Sequence, residues 1–467
     1  MDGTPQGWDG WPVTRTIEAD YLVIGAGATG MAFTDALTDH ADVRVALVDR
    51  RYGVGGHWLE AYPFVRLHQA SAFYGVASTV LGGAIQQEGP EKGLHERASQ
   101  PEICEYYERV LERMVRSGKV EFHPNSEYVD GEVVSHLSGE RLGVSPGCRI
   151  VDATYLAPTI PAETPPPYGV DSARVIPVND LVHLEDAPRQ YVVVGSGKTA
   201  TDAIVWLLSQ GVDPDALCWV RPRDPWMLNR AVVQPDPAIF LGMAATIMES
   251  AQTSTSLDDL FGRLEDAGVM IRIDRGVTPT MAKAPTLATW ELEHLRSVEN
   301  VVRRGHVSSV SRGSLTFADG TVGIADGAVV VHCAADGLKQ PPLVPVWRPE
   351  AITLQPIRSG FPCFGAALVG YVEATRSDDE VKNALCPPSP YGNSLSDWAR
   401  MTVLGTRASQ AFTAEPDIRE WANTTVLNPA RIPAGHPASP ALDAVLERLG
   451  AHTGPGLARL AELAQLS

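Results

Sequence analysis

Ala19-Asp20-Tyr21-Leu22-Val23-Ile24-Gly25-Ala26-Gly27-Ala28-Thr29-Gly30 is the stretch whose reading decides the fold. A short apolar run ends at Gly25, and G-x-G-x-x-G follows at once. Residues 29–38 have helical spacing, with Ala32, Phe33, Ala36 and Leu37 on the apolar side. Residues 43–48 form a second apolar run, closed by Asp49. Strand, glycine turn, helix and strand make one βαβ unit. Gly25, Gly27 and Gly30 permit a tight turn and close backbone approach, and a helix opening at Thr29 offers free N–H groups to a pyrophosphate. Asp49 falls 19 residues after Gly30, where a carboxylate bonds ribose hydroxyls. Arg50 stands beside it as a further candidate cofactor contact.

The same theme returns later. Gln190-Tyr191-Val192-Val193-Val194 leads into Gly195-Ser196-Gly197-Lys198-Thr199-Ala200, a helical pattern to residue 209 and a strand at 217–220. Here the residue closing the second strand changes sign. Arg221 lies 21 residues after Ala200, with Arg223 two further on. Arginine suits a 2′-phosphate that an aspartate would repel, so NADP is favoured over NAD. A P-loop would need glycine where Val192 stands, which excludes it.

Around these units the chain divides in three. A helix is expected over residues 102–116 and sheet over 133–137, 141–144 and 149–153. The prolines from Pro158 to Pro167 mark a domain crossover. Helices are expected over 237–251, 257–267 and 287–298, a meander over 307–317 with a turn at Asp319-Gly320, and a buried strand at 327–331. Further helices are expected over 395–412 and near 441–449. Gly143-Val144-Ser145-Pro146-Gly147 matches G-x-S-x-G but leads into another strand, so it reads as a hairpin turn.

The 467 residues exceed what a single core supports. A net charge of −18 argues against nucleic acid and anionic membranes as partners. No apolar stretch reaches membrane-spanning length, and residues 1–16 lack the features of a signal peptide. Six scattered cysteines without C-x-x-C fit a reduced, cytoplasmic setting. No histidine pair has H-x-x-x-H spacing, so no metal site is expected.

Two dinucleotide loops on one chain need a reason, and hydride transfer from a nicotinamide to a flavin supplies one. The first loop, Asp49, then Gly55-Gly56-His57-Trp58, followed by the second loop at Gly195, resembles the flavin-containing (class B) flavoprotein monooxygenase superfamily, two-dinucleotide-binding-domain type. The similarity covers residues 20–338, and more coarsely the C-terminal part.

The resemblance implies an α/β fold of two Rossmann-like domains, one for FAD and one for NADPH, the second inserted in a discontinuous first. The expected limits are 17–160 and 326–467 for the FAD domain, and 161–325 for the NADPH domain with a helical insertion at about 236–298 serving as a substrate lid. It places Gly56, His57 and Trp58 against the flavin, and Gly195, Ser196, Gly197, Lys198 and Thr199 around NADPH. In the family a polar amide in the segment that follows Trp58 contacts the flavin and stabilises a peroxyflavin, which implies His68 or Gln69 in that place. A histidine there can also shuttle protons near neutral pH, or simply be satisfied in a packed loop. Glu373, Lys382-Asn383 and Tyr391 read either as the substrate side or as solvated loop.

Two departures stand out. The stretch from Tyr168-Gly169 to Asn179 has no histidine where the family has one, and residues 331–337 keep the strand and glycine of a late A-T-G motif without its threonine. The implied activity is an NADPH-dependent monooxygenation, one atom of O₂ entering a small organic substrate through the peroxyflavin, with a homodimer left open. The alternative is an NADPH-dependent FAD reductase or oxidase that oxygenates nothing. A disulfide reductase would need C-x-x-C, and a non-catalytic FAD protein would not be bleached by NADPH. Heteroatom oxidation, amine hydroxylation and Baeyer–Villiger insertion all stay open.

Overall fold

A computed structural model describes residues 15–335, 340–358 and 360–466, apart from the side chain of Lys283. The reading of residues 1–14, and of Asp336 and Gly337 in the altered A-T-G stretch, lies outside the described residues.

Two five-stranded parallel sheets organise the chain. The first has the order Ile352–Thr353, Arg149–Asp152, Tyr21–Ile24, Val45–Val48, Val120–His123. The second runs Arg174–Pro177, Val329–His332, Tyr191–Val194, Leu217–Val220, Val301–Val302. Successive side chains leave a strand on opposite faces. Leu22, Ala46 and Val48 therefore meet one core, while Val23, Val45 and Leu47 meet another. In the second sheet Val192 and Val194 part from Tyr191 and Val193 in the same way. Burial on both faces is why these strands read as unbroken apolar runs.

Each sheet carries a four-stranded sheet on one face. Ile17 and Val133 cover the first, and Val307, Val310, Leu315 and Phe317 the second. The helices Ala28–His40 and Pro362–Thr375 pack together over the first sheet, so closely that a Cβ on Gly370 would stand 2.5 Å from the Phe33 carbonyl oxygen.

The topology corrects four sequence expectations. Val329–His332 pairs with Tyr191–Val194, so the second domain does not end at residue 325. The chain rejoins the first sheet only at Ile352–Thr353. An apolar run shows that a strand is buried, not which sheet buries it. The insertion expected at 236–298 is not purely helical, because its strands Met270–Arg272 and Met281–Leu287 form a three-stranded sheet with Pro225–Asn229, which precedes it. Residues 145–148 are no hairpin, since the strands they join lie in different sheets. The C-terminal helix, Pro440–Leu463, extends well beyond residue 449.

Glu373, Lys382 and Asn383 are neither substrate side nor solvated loop. Glu373 accepts from Tyr21 Oη at 2.7 Å, Trp347 Nε1 at 2.7 Å, Lys382 Nζ at 2.6 Å and Arg149 Nη1 at 3.1 Å. Asn383 brackets the Trp347 backbone through both its N–H and C=O. These contacts pin the last third of the chain to the first sheet. Glu373→Ala leaves the buried Lys382 ammonium with Asp379 alone, at 3.1 Å, and takes the acceptor from Tyr21 and Trp347, so it should cost about 3–5 kcal/mol. Urea unfolding measures it, with Glu112→Ala at an exposed ion pair as the control expected within about 0.5 kcal/mol.

Candidate functional site

The first loop is built for close backbone approach. Gly25 has φ +102°, and a Cβ on Gly30 would fall 1.9 Å from the Gly25 carbonyl oxygen. Gly56, at φ +62°, passes so near Gly27 that a Cβ would meet its Cα at 3.0 Å. The helix N-cap is Gly27, with no side-chain cap, whereas Asp236 and Ser256 cap later helices with their side chains. Its first N–H groups are thus left for a ligand. Asp49 is buried, and its carboxylate accepts from Ala26 N at 2.7 Å and Arg51 N at 2.9 Å. It braces the loop while keeping acceptor capacity for a ribose diol. Thr29 ties the helix to the Ala153 carbonyl at 3.3 Å. Arg50, exposed, pairs instead with Glu163 of the proline-rich crossover at 3.1 Å.

The second loop repeats this design. Gly195 has φ +141°, its carbonyl accepts from Trp219 Nε1 at 2.7 Å, and Gly197 caps the helix Lys198–Ser209 with open space where a Cβ would lie. Arg221 is buried, stacked 4.6 Å from the Trp219 ring and paired with Asp224 at 2.9 Å. Burial pushes it down to about 10, and its Nε has no partner. A groove of about 520 Å³ opens beside it, lined also by Arg275, Arg296, Arg303, Asp274 and Glu299. Arg223 is exposed. Ser196 is half-buried beside Gly197. Lys198 is committed elsewhere, to Asp202, with Glu291 at 3.9 Å.

The segment after Gly56 joins the two loops. His57 is neutral, because burial and then Arg51 push it down to about 4. Trp58 donates to Tyr74 Oη at 2.6 Å. Tyr62 donates to Asp202 at 2.8 Å and also meets the Thr199 side chain, so it bridges to the first turn of the second helix. Farther on, the His68 carbonyl accepts from Arg230 Nε at 3.1 Å and from Thr286. Arg230 is fully buried and also binds Glu91 and, at 2.7 Å, Glu291. Arg97 grips Glu91 through two bonds at 2.7 and 3.0 Å.

This surrounding decides what His68 can do. Burial first, then Lys198, Arg230 and Arg97, push its imidazole down to about 3. Held so low, His68 is neutral near pH 7, which speaks against the proton shuttle expected there. Its buried Nδ1 has no hydrogen-bond partner. Gln69 is 5% exposed, and its amide makes no hydrogen bond among the described residues. A buried polar atom without a partner, as His68 Nδ1 is, is rare and points to something that completes it.

The sequence reading missed Tyr62, Glu91, Arg97, Arg230, Glu291 and Arg303. Tyr62 alone had a local signal, its place in the segment after Trp58. A polar cleft of about 600 Å³ also escaped it, with Phe64, Trp206, Trp290, Arg97, Asp202 and Glu291 in its lining. Phe64 stacks on Trp206 with ring centres 4.6 Å apart. Among the described residues no cluster could hold a metal ion, no helix is long and apolar enough to cross a membrane, and the six cysteines are free.

Comparison with known proteins agrees with this layout. Residues 23–71 match the model of an NAD(P)-binding Rossmann-like domain. The uncharacterized protein Rv2000 of Mycobacterium tuberculosis strain H37Rv is 42% identical over 431 residues, covering 90% of this chain and 80% of that protein. The uncharacterized protein Mb2023 of Mycobacterium bovis matches equally. Among solved structures, the polycyclic ketone monooxygenase of the fungus Thermothelomyces thermophila gives a TM-score of 0.51 at 12% identity, covering 96% of this chain and 90% of that one. The chain belongs to the family of these mycobacterial proteins, and its fold is that of the two-dinucleotide-domain flavin monooxygenases.

Proposed function

We propose that this protein is an FAD- and NADPH-dependent monooxygenase acting on a small organic substrate, with FAD on the first loop and NADPH on the second. One observation carries the reading. Two uncapped helix N-termini, each behind a glycine turn at the carboxyl edge of its own parallel sheet, are bridged by Tyr62 between the Gly56–Trp58 segment and Asp202. Brought together there, FAD and NADPH supply hydride transfer and the activation of O₂.

The chain's residues supply the rest. Gly25, Gly27, Gly30 and Gly56 leave room for a pyrophosphate against bare backbone, and Asp49 serves the ribose. His57 and Trp58 wall the ring side. Gly195, Ser196, Gly197 and Thr199 hold the second pyrophosphate, and Arg221 faces the 2′-phosphate with Arg223 at the rim. His68 and Gln69 act as neutral hydrogen-bonding groups, offering a donor or acceptor without moving a net charge. The substrate side is the cleft between Phe64, Trp206 and Trp290, where the insertion at 225–298 covers the site and keeps water out. In this reading the FAD domain comprises residues 17–160 and the chain from about 340, with the NADPH domain between.

Three experiments test it. NADPH should bleach the bound FAD without air, and readmitted ¹⁸O₂ should place one label in a sulfide, amine or ketone. Delivery of all electrons to peroxide across such a panel would instead establish the reductase or oxidase, which the missing histidine after Tyr168 favours. Arg221→Ala should weaken NADPH about 10- to 100-fold while leaving NADH within about threefold, since a hydrogen bond to a charged group contributes about 1.5–3 kcal/mol; equal losses would refute the 2′-phosphate assignment.

The third concerns pH. His68 titrates near ~6.5 when unfolded and about 3 when folded, so below pH 6.5 the unfolded chain binds more protons and stability falls with pH. At pH 5 this amounts to about 2 kcal/mol. Thermal melts of His68→Asn should show a shallower loss between pH 7 and 5 than the wild type. Parallel losses would show that His68 is not held neutral.

A further inference from the structure

We propose that Arg303 is the second arm of the 2′-phosphate site, and that Asp274 is a resident anion which the 2′-phosphate displaces. The inference rests on the NADPH reading of the second loop. Strand Val301–Val302 lies beside Leu217–Val220, with Val302 paired to Val220, so Arg303 and Arg221 leave adjacent strands at one edge. Arg221 N donates to the Val302 carbonyl at 2.9 Å, which fixes that juxtaposition.

Both guanidinium groups already hold anions of the chain itself. Asp224 takes Arg221 at 2.9 Å and Arg303 at 3.1 Å. Asp274 takes Arg303 at 2.6 Å and stands 3.9 Å from Arg221. The two carboxylates are not equivalent. The Asp224 side chain is 8% exposed, whereas that of Asp274 is 37% exposed. Asp274 also lies on the loop between strands Met270–Arg272 and Met281–Leu287. Its Oδ1 accepts from Gly276 N at 2.8 Å, which leaves Oδ2 for the arginines.

A single carboxylate oxygen is a poor match for this much donor capacity. Arg221 Nε is buried without a partner, and stacking on Trp219 holds the guanidinium in place. Four arginines line the groove against Asp224 beside it and Asp274 and Glu299 within it. Withdrawal of Asp274 leaves an excess of two positive charges, which matches a phosphate monoester near its dianionic form. Such a phosphate brings three acceptor oxygens, enough for both forks.

Titration calorimetry of the FAD-loaded, oxidised protein with 2′,5′-ADP and with 5′-AMP tests this without turnover. Asp274→Asn should tighten 2′,5′-ADP about fivefold or more and leave 5′-AMP within about twofold, because the gain is confined to the charge it frees. Arg303→Lys keeps the charge but loses the fork, and should weaken 2′,5′-ADP about tenfold with 5′-AMP unchanged. Glu299→Gln, whose carboxylate pairs with neither arginine, should tighten 2′,5′-ADP less than Asp274→Asn does. The proposal is overturned if Arg303→Lys leaves 2′,5′-ADP untouched, or if Asp274→Asn shifts both nucleotides alike. Wild-type protein that prefers 2′,5′-ADP while both variants behave as wild type defeats this inference alone. Wild-type protein that binds neither nucleotide defeats the NADPH reading beneath it.

Discussion

Arg230 has no exposed surface, and its guanidinium joins three parts of the chain that are far apart in sequence. It donates to the His68 carbonyl and to Glu91 of the first domain, and to Thr286 and Glu291 of the insertion. Desolvating an arginine is costly, and only a nearly complete set of acceptors makes that tolerable. Arg97 and Lys198 then balance the same carboxylates, so Glu91, Glu291 and Asp202 face three cations. Removing any member leaves the remaining buried charges out of balance. This cooperation is what holds the segment from Gly56 to Gln69 against the second loop's helix.

The same network sets the character of the space between the loops. Three cations near His68 add to its burial, and all of them disfavour the imidazolium. Those cations are anchored through their own carboxylates, so they cannot retreat to relieve it. A neutral imidazole therefore stands there with its buried Nδ1 short of a partner, beside the buried Gln69, in a setting otherwise dense with satisfied charge. Preorganised neutral groups of this kind cost no reorganisation when a ligand arrives.

The glycine turns, and the places of Asp49 and Arg221 at the ends of the next strands, were legible because their information is local. A φ near +100°, an apolar strand and an acid or base at its end all fall within one βαβ unit of sequence. The pairing of Val329–His332 with Tyr191–Val194 was not legible, since any buried parallel strand satisfies the same pattern. Nor was the Arg230–Glu91 pair, whose members are 139 residues apart, nor the Glu373–Lys382 pair. In a sequence those charges look like solvated surface, and only the fold shows that each is spent on another. Tyr62 lies between these cases, because its segment could be read but its partner Asp202 could not.

The two halves share a plan down to the strand that returns beside the glycine-loop strand, Arg149–Asp152 in one and Val329–His332 in the other. What differs is the residue that closes the second strand. Asp49 follows Val48 and is fixed by two backbone N–H groups of its own loop. Arg221 follows Val220 and is fixed by Trp219 and Asp224. Each is buried, so neither can swing aside to admit the other's ligand. An acceptor at one site and a donor fork at the other are thus built into equivalent backbones. If the proposed cofactor assignment holds, a swap between the halves would put a 2′-phosphate against the Asp49 carboxylate, so electrostatics at two strand ends would give the internal repeat its direction.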